Sequence, residues 1–102
     1  MEGPSLVIAR EEMSPAIGQK VLRVSGNSRL PIASLKNQTL DEIGTWGKHL
    51  LLFFSNGTIK IHFLLWGSYR VNNPKNQDPR LQLEFKNIKI FCYSCSIQFL
   101  QE

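Results

Sequence analysis

The stretch His49-Leu50-Leu51-Leu52-Phe53-Phe54-Ser55-Asn56-Gly57-Thr58-Ile59-Lys60-Ile61-His62-Phe63 decides the fold class. His49 to Phe54 is an apolar run of strand length. Ser55-Asn56-Gly57 interrupts it, and Asn-Gly between apolar runs is a strong hairpin signal. In the partner, Thr58 to Phe63, Ile59 and Ile61 alternate with Lys60 and His62, which is the period of a half-buried strand. An isolated hairpin is marginal in water, so its apolar face calls for more strands or a helix to cover it.

The flanking sequence supplies both. Downstream, Ser68 to Val71 reads as a short strand, and Asn72 to Pro79 as a polar loop with two prolines. Leu81, Leu83 and Phe85 alternate with Gln82 and Glu84. Lys86-Asn87 turns the chain, and Ile88, Ile90 and Cys92 alternate with Lys89, Phe91 and Tyr93. Upstream, Ser5 to Ile17 reads as the one clear helix. Leu6, Ala9, Met13 and Ile17 recur at helical spacing. Pro4 suits the first turn, and Pro15 and Gly18 mark the end. Val21 to Ser25 reads as a strand, and Gly26-Asn27-Ser28 as a turn. Arg29 to Gln38 is open to a loop or a short helical turn. One helix followed by about seven short strands predicts a mainly β fold with a flanking helix, a two-layer antiparallel β-sandwich.

At 102 residues the chain is one small domain. Its apolar share of 42% and charged share of 20% are those of a globular protein. The longest apolar run, Leu50 to Phe54, is far short of a membrane span. The start Met1-Glu2-Gly3-Pro4 has no signal-peptide core, so secretion is not expected. Net charge is +4 and the pI about 9.3, a mild bias toward anionic partners such as nucleic acid. Cys92-Tyr93-Ser94-Cys95 is a lone C-x-x-C. A structural zinc site needs four ligands, no second cysteine pair exists, and His49 and His62 do not complete the set. The motif lies in a run with strand character, which argues against a thioredoxin-like role, so both thiols are expected to be structural. A reducing compartment fits them.

The amino terminus is chemically the most suggestive point. An α-amine has a pKa of about 7.7–8.0, so part of it is a free nucleophile at neutral pH. Amines attack electrophilic carbon and form Schiff bases. Glu2 puts a carboxylate one residue away. On spacing alone this is a weak signal, and an ordinary exposed terminus is the default reading.

Several pieces occur together and in order: Glu2-Gly3-Pro4, Gly47-Lys48-His49-Leu50-Leu51-Leu52, Phe54-Ser55-Asn56-Gly57, and His62 followed by Gly67 and Arg70. In this the chain resembles the N-terminal domain of the formamidopyrimidine-DNA glycosylase/endonuclease VIII family over nearly its whole length. The resemblance implies a two-sheet β-sandwich flanked by helices. It implies an enzyme of base-excision repair that removes oxidised bases and then cuts the strand as an AP lyase, through an N-terminal amine. By position, Met1 stands at the nucleophile, Glu2 at the proton-transfer acid, and Lys48 at the hairpin lysine that contacts the DNA backbone. An amine can attack the sugar C1′ while the acid protonates the opening ring or the departing group. The ammonium would stabilise the eliminated phosphate.

The stretch His62-Phe63-Leu64-Leu65-Trp66-Gly67 matches the family's wedge, which fills the gap left by a flipped base. Leu64, Leu65 and Trp66 are the candidates for it, although Leu64 and Leu65 are also open to a core role. His62 is expected to contact phosphate and Arg70 to face DNA or solvent. Trp46 is open between core and DNA-facing. The implied partner is damaged double-stranded DNA, with no membrane, a monomeric state and a bacterial, nucleoid-associated cytoplasmic location. No cofactor is expected in this chain, because the family's zinc site, where present, lies in its C-terminal region.

The chain departs from the family's pattern at three points. Family members begin Met-Pro-Glu-Gly-Pro, whereas Met1 here directly precedes Glu2. A primary amine then replaces the proline, and lyase chemistry is expected to be weakened or lost. Ser5 stands where many members carry a second glutamate. The helix–two-turn–helix and zinc-finger region is absent from the 102 residues, so they read as a fragment or isolated domain with weak, salt-dependent DNA binding. A catalytically impaired member that only binds damaged DNA, and a generic β-sandwich interaction module, are the alternative readings.

Overall fold

The β-hairpin forms where the apolar alternation places it. In the computed structural model, which describes residues 3–28 and 30–100, strand β3 (His49–Phe54) pairs antiparallel with β4 (Gly57–Val71). Leu50, Leu52, Phe54, Ile59, Ile61 and Phe63 are buried, and the residues between them face outward. The register differs from a simple Asn-Gly turn. Phe54 pairs with Gly57, so Ser55 and Asn56 form the loop and Gly57 lies inside the strand. A Cβ on Gly57 would come within 2.6 Å of the Phe99 ring and 2.8 Å of the Leu100 carbonyl, at a φ of +151°. Only glycine fits there.

The other strands are β1 (Arg23–Ser25), β2 (Leu40–Trp46), β5 (Leu81–Glu84) and β6 (Lys89–Leu100). Together the six form one antiparallel sheet in the order β1-β5-β6-β4-β3-β2. Both halves of this sheet line a single core, which takes Leu50, Leu52 and Ile61 from one half and Leu81, Leu83 and Ile90 from the other. The fold is thus mainly antiparallel β with one flanking helix, as expected. The two strands predicted at Thr58–Phe63 and Ser68–Val71 are one long strand, β4, broken by an irregularity.

Strand β2 was not foreseen. Asp41-Glu42 interrupts the apolar alternation, and the pairing slips between Leu40 and Glu42. Gly44 offers no side chain to read, because the Phe53 ring covers it from the neighbouring strand. The stretch Arg29 to Gln38, left open by the sequence, holds a short 3-10 helix at Ile32–Leu35.

The two outer strands of the sheet are joined. Gly18 N–H donates to the Leu40 carbonyl at 2.7 Å, Leu40 to Gln19 at 3.0 Å, Val21 to Gln38 at 2.9 Å and Asn37 to Val21 at 2.8 Å. Lys20 and Thr39 form a bridge, and Leu22 N–H turns to the Glu84 carbonyl at 2.8 Å. The segment 18–22 therefore links the β2 side of the sheet to the β5 side. This is why the regular strand predicted from Val21 begins only at Arg23.

Helix α1 (Gly3–Met13) lies against β2, β3 and β4. It buries Leu6, Ala9 and Met13, which are the predicted stripe. It ends before the predicted Ile17. Pro15 has no N–H to continue the ladder and its ring clashes with the preceding turn, so Ser14–Ala16 tightens to a 3-10 turn. The Tyr69 hydroxyl of β4 donates to Glu12 Oε1 at 2.6 Å and ties the helix to the sheet. Burial, and then the hydrogen bond to Glu12 and its charge, push the Tyr69 phenol from 10.0 up to about 12.

Two outcomes follow. Leu52 is fully buried, so Leu52→Ala should cost about 2–5 kcal/mol in urea unfolding. Between pH 10 and 12 the Tyr69 phenol ionises in the unfolded chain but stays protonated in the folded one. Its share of the stability is therefore complete below pH 10 and is lost as pH rises toward 12. In pH-dependent melts, Tyr69→Phe should flatten the alkaline fall; an unchanged slope would exclude this account.

Candidate nucleic-acid interface

Lys48 owes its position to a tight turn. Trp46 pairs with His49, which leaves Gly47-Lys48 as a two-residue loop between β2 and β3. Gly47 has a φ of +58°, the kind of backbone that glycine supplies at the first position of such turns. Lys48 is exposed. His49 stands directly opposite His62 on β4, with ring centroids 5.2 Å apart. Trp46 stacks on His49 at 6.3 Å with an interplanar angle of 26°. Lys60 Nζ lies 5.6 Å from the Trp46 ring centroid, within cation–π range.

Trp46 is 68% exposed, which settles its open assignment in favour of the surface. His62 is half-buried on the outward alternation of its strand, as expected. Trp46, His49 and His62 thus form one row across three strands. Lys60 is the outward neighbour of His62 on the same strand. The row was missed because Trp46 and His49 were read separately, although the hairpin pairing places His49 beside His62.

One pair beyond His62, β4 leaves its ladder. Phe63 pairs with Cys95, and the next pair is Ser68 with Tyr93. Leu64, Leu65, Trp66 and Gly67 therefore stand against the single residue Ser94. Trp66 and Ser94 take positive φ values of 67° and 50°. A Cβ on Gly67 would fall 2.7 Å from the carbonyl oxygens of both Leu64 and Ser94, so the return to the ladder requires glycine. Leu64, Leu65 and Trp66 are 44%, 82% and 84% exposed. Leu64 and Leu65 are therefore surface residues, not core. By register, the Gly47-Lys48 turn lies beside the point where β4 departs. Lys48, His62 and the apolar bulge lie together where the β2–β3–β4 half of the sheet ends, while Arg70 is exposed on β4 beyond the bulge.

A cleft of about 330 Å³ opens where the first turns of α1 meet the end of the bulge. Ser5, Ile8, Gly67, Ser68 and Tyr69 line it. Met1 and Glu2, the expected nucleophile and acid, lie outside the described residues; Ser5 is three positions from Glu2. Sequence reasoning had not assigned Ile8, Ser68 or Tyr69 to a site, because they come together only when α1 docks on β4.

The C-x-x-C thiols are buried in β6. Burial, and then the nearby Cys95, push the Cys92 thiol up. Burial also raises Cys95, to about 11, although Arg80 acts against it. Thiols held so far from ionisation are poor nucleophiles and poor metal ligands at neutral pH. Among the described residues no group of three or more His, Cys, Asp and Glu side chains is placed to hold a metal ion. No described helix is long and apolar enough to cross a membrane.

Residues 2–100 match the family described as formamidopyrimidine-DNA glycosylase N-terminal domain. Among solved structures, the chain is similar to Lactococcus lactis formamidopyrimidine-DNA glycosylase bound non-covalently to DNA containing an AP site. Identity is 18% and the TM-score 0.84, over 99% of this chain and 45% of that one. A complex of the L. lactis enzyme with Fapy-dG DNA matches at 17% identity and a TM-score of 0.81, over 96% and 43% of the two chains. At such identities the likeness is one of fold, and the chain spans less than half the length of these structures. No curated protein matches the sequence. Since the family match runs through nearly all 102 residues and the fold agrees with it, the chain belongs to the formamidopyrimidine-DNA glycosylase family and represents its N-terminal domain.

Proposed function

We propose that this domain engages damaged duplex DNA in base-excision repair, as the catalytic-side half of a glycosylase/AP lyase. The exposed bulge Leu64–Trp66 carries this reading, because it stands with Lys48 and His62 where the β2–β3–β4 half of the sheet ends. Apolar side chains held clear of the core suit a gap in a base stack. Basic groups around them suit the phosphates on either side. The similar solved structures hold DNA with an AP site or with Fapy-dG, which supports the same partner here.

In this reading Met1 supplies the amine that attacks C1′ and Glu2 moves the proton. Lys48 neutralises the phosphate that leaves when the strand is cut. Arg70 adds charge beyond the bulge. A second reading, binding without strand cleavage, is favoured by methionine standing where the family places proline. Its primary amine can still form a Schiff base, and the expected outcome of the replacement is weakened or lost lyase chemistry.

Fluorescence anisotropy on duplexes with and without an abasic-site analogue tests the partner. The domain should bind at about micromolar Kd or weaker, losing affinity steeply with salt. Lys48→Ala should weaken both duplexes alike and lower the salt slope by about one. Leu65→Ala with Trp66→Ala should remove the preference for the damaged duplex. Equal binding of both duplexes by the native chain would refute the damaged-DNA reading. Borohydride trapping on abasic-site DNA separates the two chemistries. Weak or no adduct is expected, and a strong adduct mapped to Met1 would establish full lyase competence.

A further inference from the structure

His49 and His62 stand directly opposite each other on the outward face of the β3–β4 ladder. Their rings are tilted by 53°, with centroids 5.2 Å apart. At metal–nitrogen distances of about 2.0–2.1 Å and a tetrahedral angle, two imidazoles on one ion have centroids roughly 5 Å apart. The pair therefore already has the separation of two ligands of one ion, and rotation of the rings is enough to aim a nitrogen of each at it. A neutral imidazole carries one lone-pair nitrogen. Among the described residues neither ring takes part in a hydrogen bond or an ion pair. The backbone beneath them is fixed on both sides. Trp46 pairs with His49 from β2 and Ser96 pairs with His62 from β6, so the histidines occupy the middle of a four-strand row. The Trp46 ring stacks on His49 from the β2 side, and both imidazoles are half-buried, which leaves less side-chain freedom to lose on binding. Lys48 follows in the adjoining turn and Lys60 lies two residues along β4. Their charge opposes a dication and holds the affinity below that of a site lined with acids.

We propose that His49 and His62 form a surface site for a divalent transition-metal ion of the class that favours imidazole (zinc, nickel or copper), with water on its remaining positions. The class follows from the ligands, since imidazole suits these ions whereas calcium and magnesium take oxygen. Two protein ligands make an open site, unlike the closed four-ligand kind that holds a fold together. The strand register arranges the chelate in advance: an ion on the first imidazole is held beside the second. The site does not rest on the DNA-facing reading, because the pair chelates whether or not His62 also meets a phosphate.

The test titrates the whole 102-residue chain with zinc chloride in a chelator-free buffer, following imidazole and backbone resonances by NMR. Zinc should shift both rings and the amides around His49 and His62 saturably, and magnesium should not. His49→Gln and His62→Gln should each weaken binding by roughly tenfold or more, because either leaves a single imidazole. Saturating zinc should raise the Tm of the native chain, since only the folded state holds the rings together, and should leave the Tm of either variant unchanged. Melting curves without metal confirm that each variant is folded. Absence of saturable shifts at the two histidines overturns the site. So do shifts centred on the amino terminus or on Cys92 and Cys95, and binding that survives undiminished in both single variants. Magnesium binding as tight as that of zinc overturns the class of ion.

Discussion

The β4–β6 ladder is the constraint from which the rest of the domain is laid out. It is the longest pairing in the sheet and it is interrupted once, between Phe63–Cys95 and Ser68–Tyr93. Before the break, the pair delivers Ile59 and Ile61 to the half of the core that α1 covers. After it, Ile90 and Cys92 face the half closed by β5 and β1. The break itself spends no buried apolar surface. Four residues oppose one, the backbone crosses into positive φ at Trp66 and Ser94, and Gly67 brings the strand back where no side chain fits.

The two ends of the sheet meet in a different way. Segment 18–22 bonds to residues 37–40 on one side and to Glu84 on the other. An unpaired strand is a template for other chains, and this segment satisfies backbone groups that would otherwise lie at an edge. It also follows directly from helix α1. The helix, anchored through Tyr69 and Glu12, thus has a fixed position against the bulge, and that position creates the cleft.

Much of this was legible in the sequence wherever a local pattern coincided with a buried face. The alternation of Ile59 and Ile61, and of Leu81 and Leu83, gave correct strands because each has one side on the core. The helical stripe Leu6, Ala9, Met13 gave the correct buried face for the same reason. Strand β2 was hidden because its outward side carries Asp41, Glu42 and Gly44, whose partners lie on β3 and not nearby in sequence. Lys75 was hidden in a polar loop, since its anchor is Tyr93, on a strand that joins only in the folded state. The roles expected of Lys48, His62 and the stretch 64–66 rest on the family resemblance, and the register sets the three near one another. The row of Trp46, His49 and His62 required the register.

The manner in which β4 leaves its ladder has a consequence for how this domain can change. Leu64, Leu65 and Trp66 stand outside the β4–β6 pairing, and the last two are almost wholly in solvent. Most of what they contribute to stability is therefore already forgone, and exposed substitutions away from special features usually alter stability by less than about 0.5 kcal/mol. New side chains at these positions would alter what the domain presents to solvent while the core beneath stays the same. Gly67 is the exception next door, where a single added methyl group would meet two carbonyl oxygens. Two tolerant positions, Leu64 and Leu65, followed by Trp66 at positive φ and the intolerant Gly67, make the bulge a place where the surface can drift without the fold drifting with it.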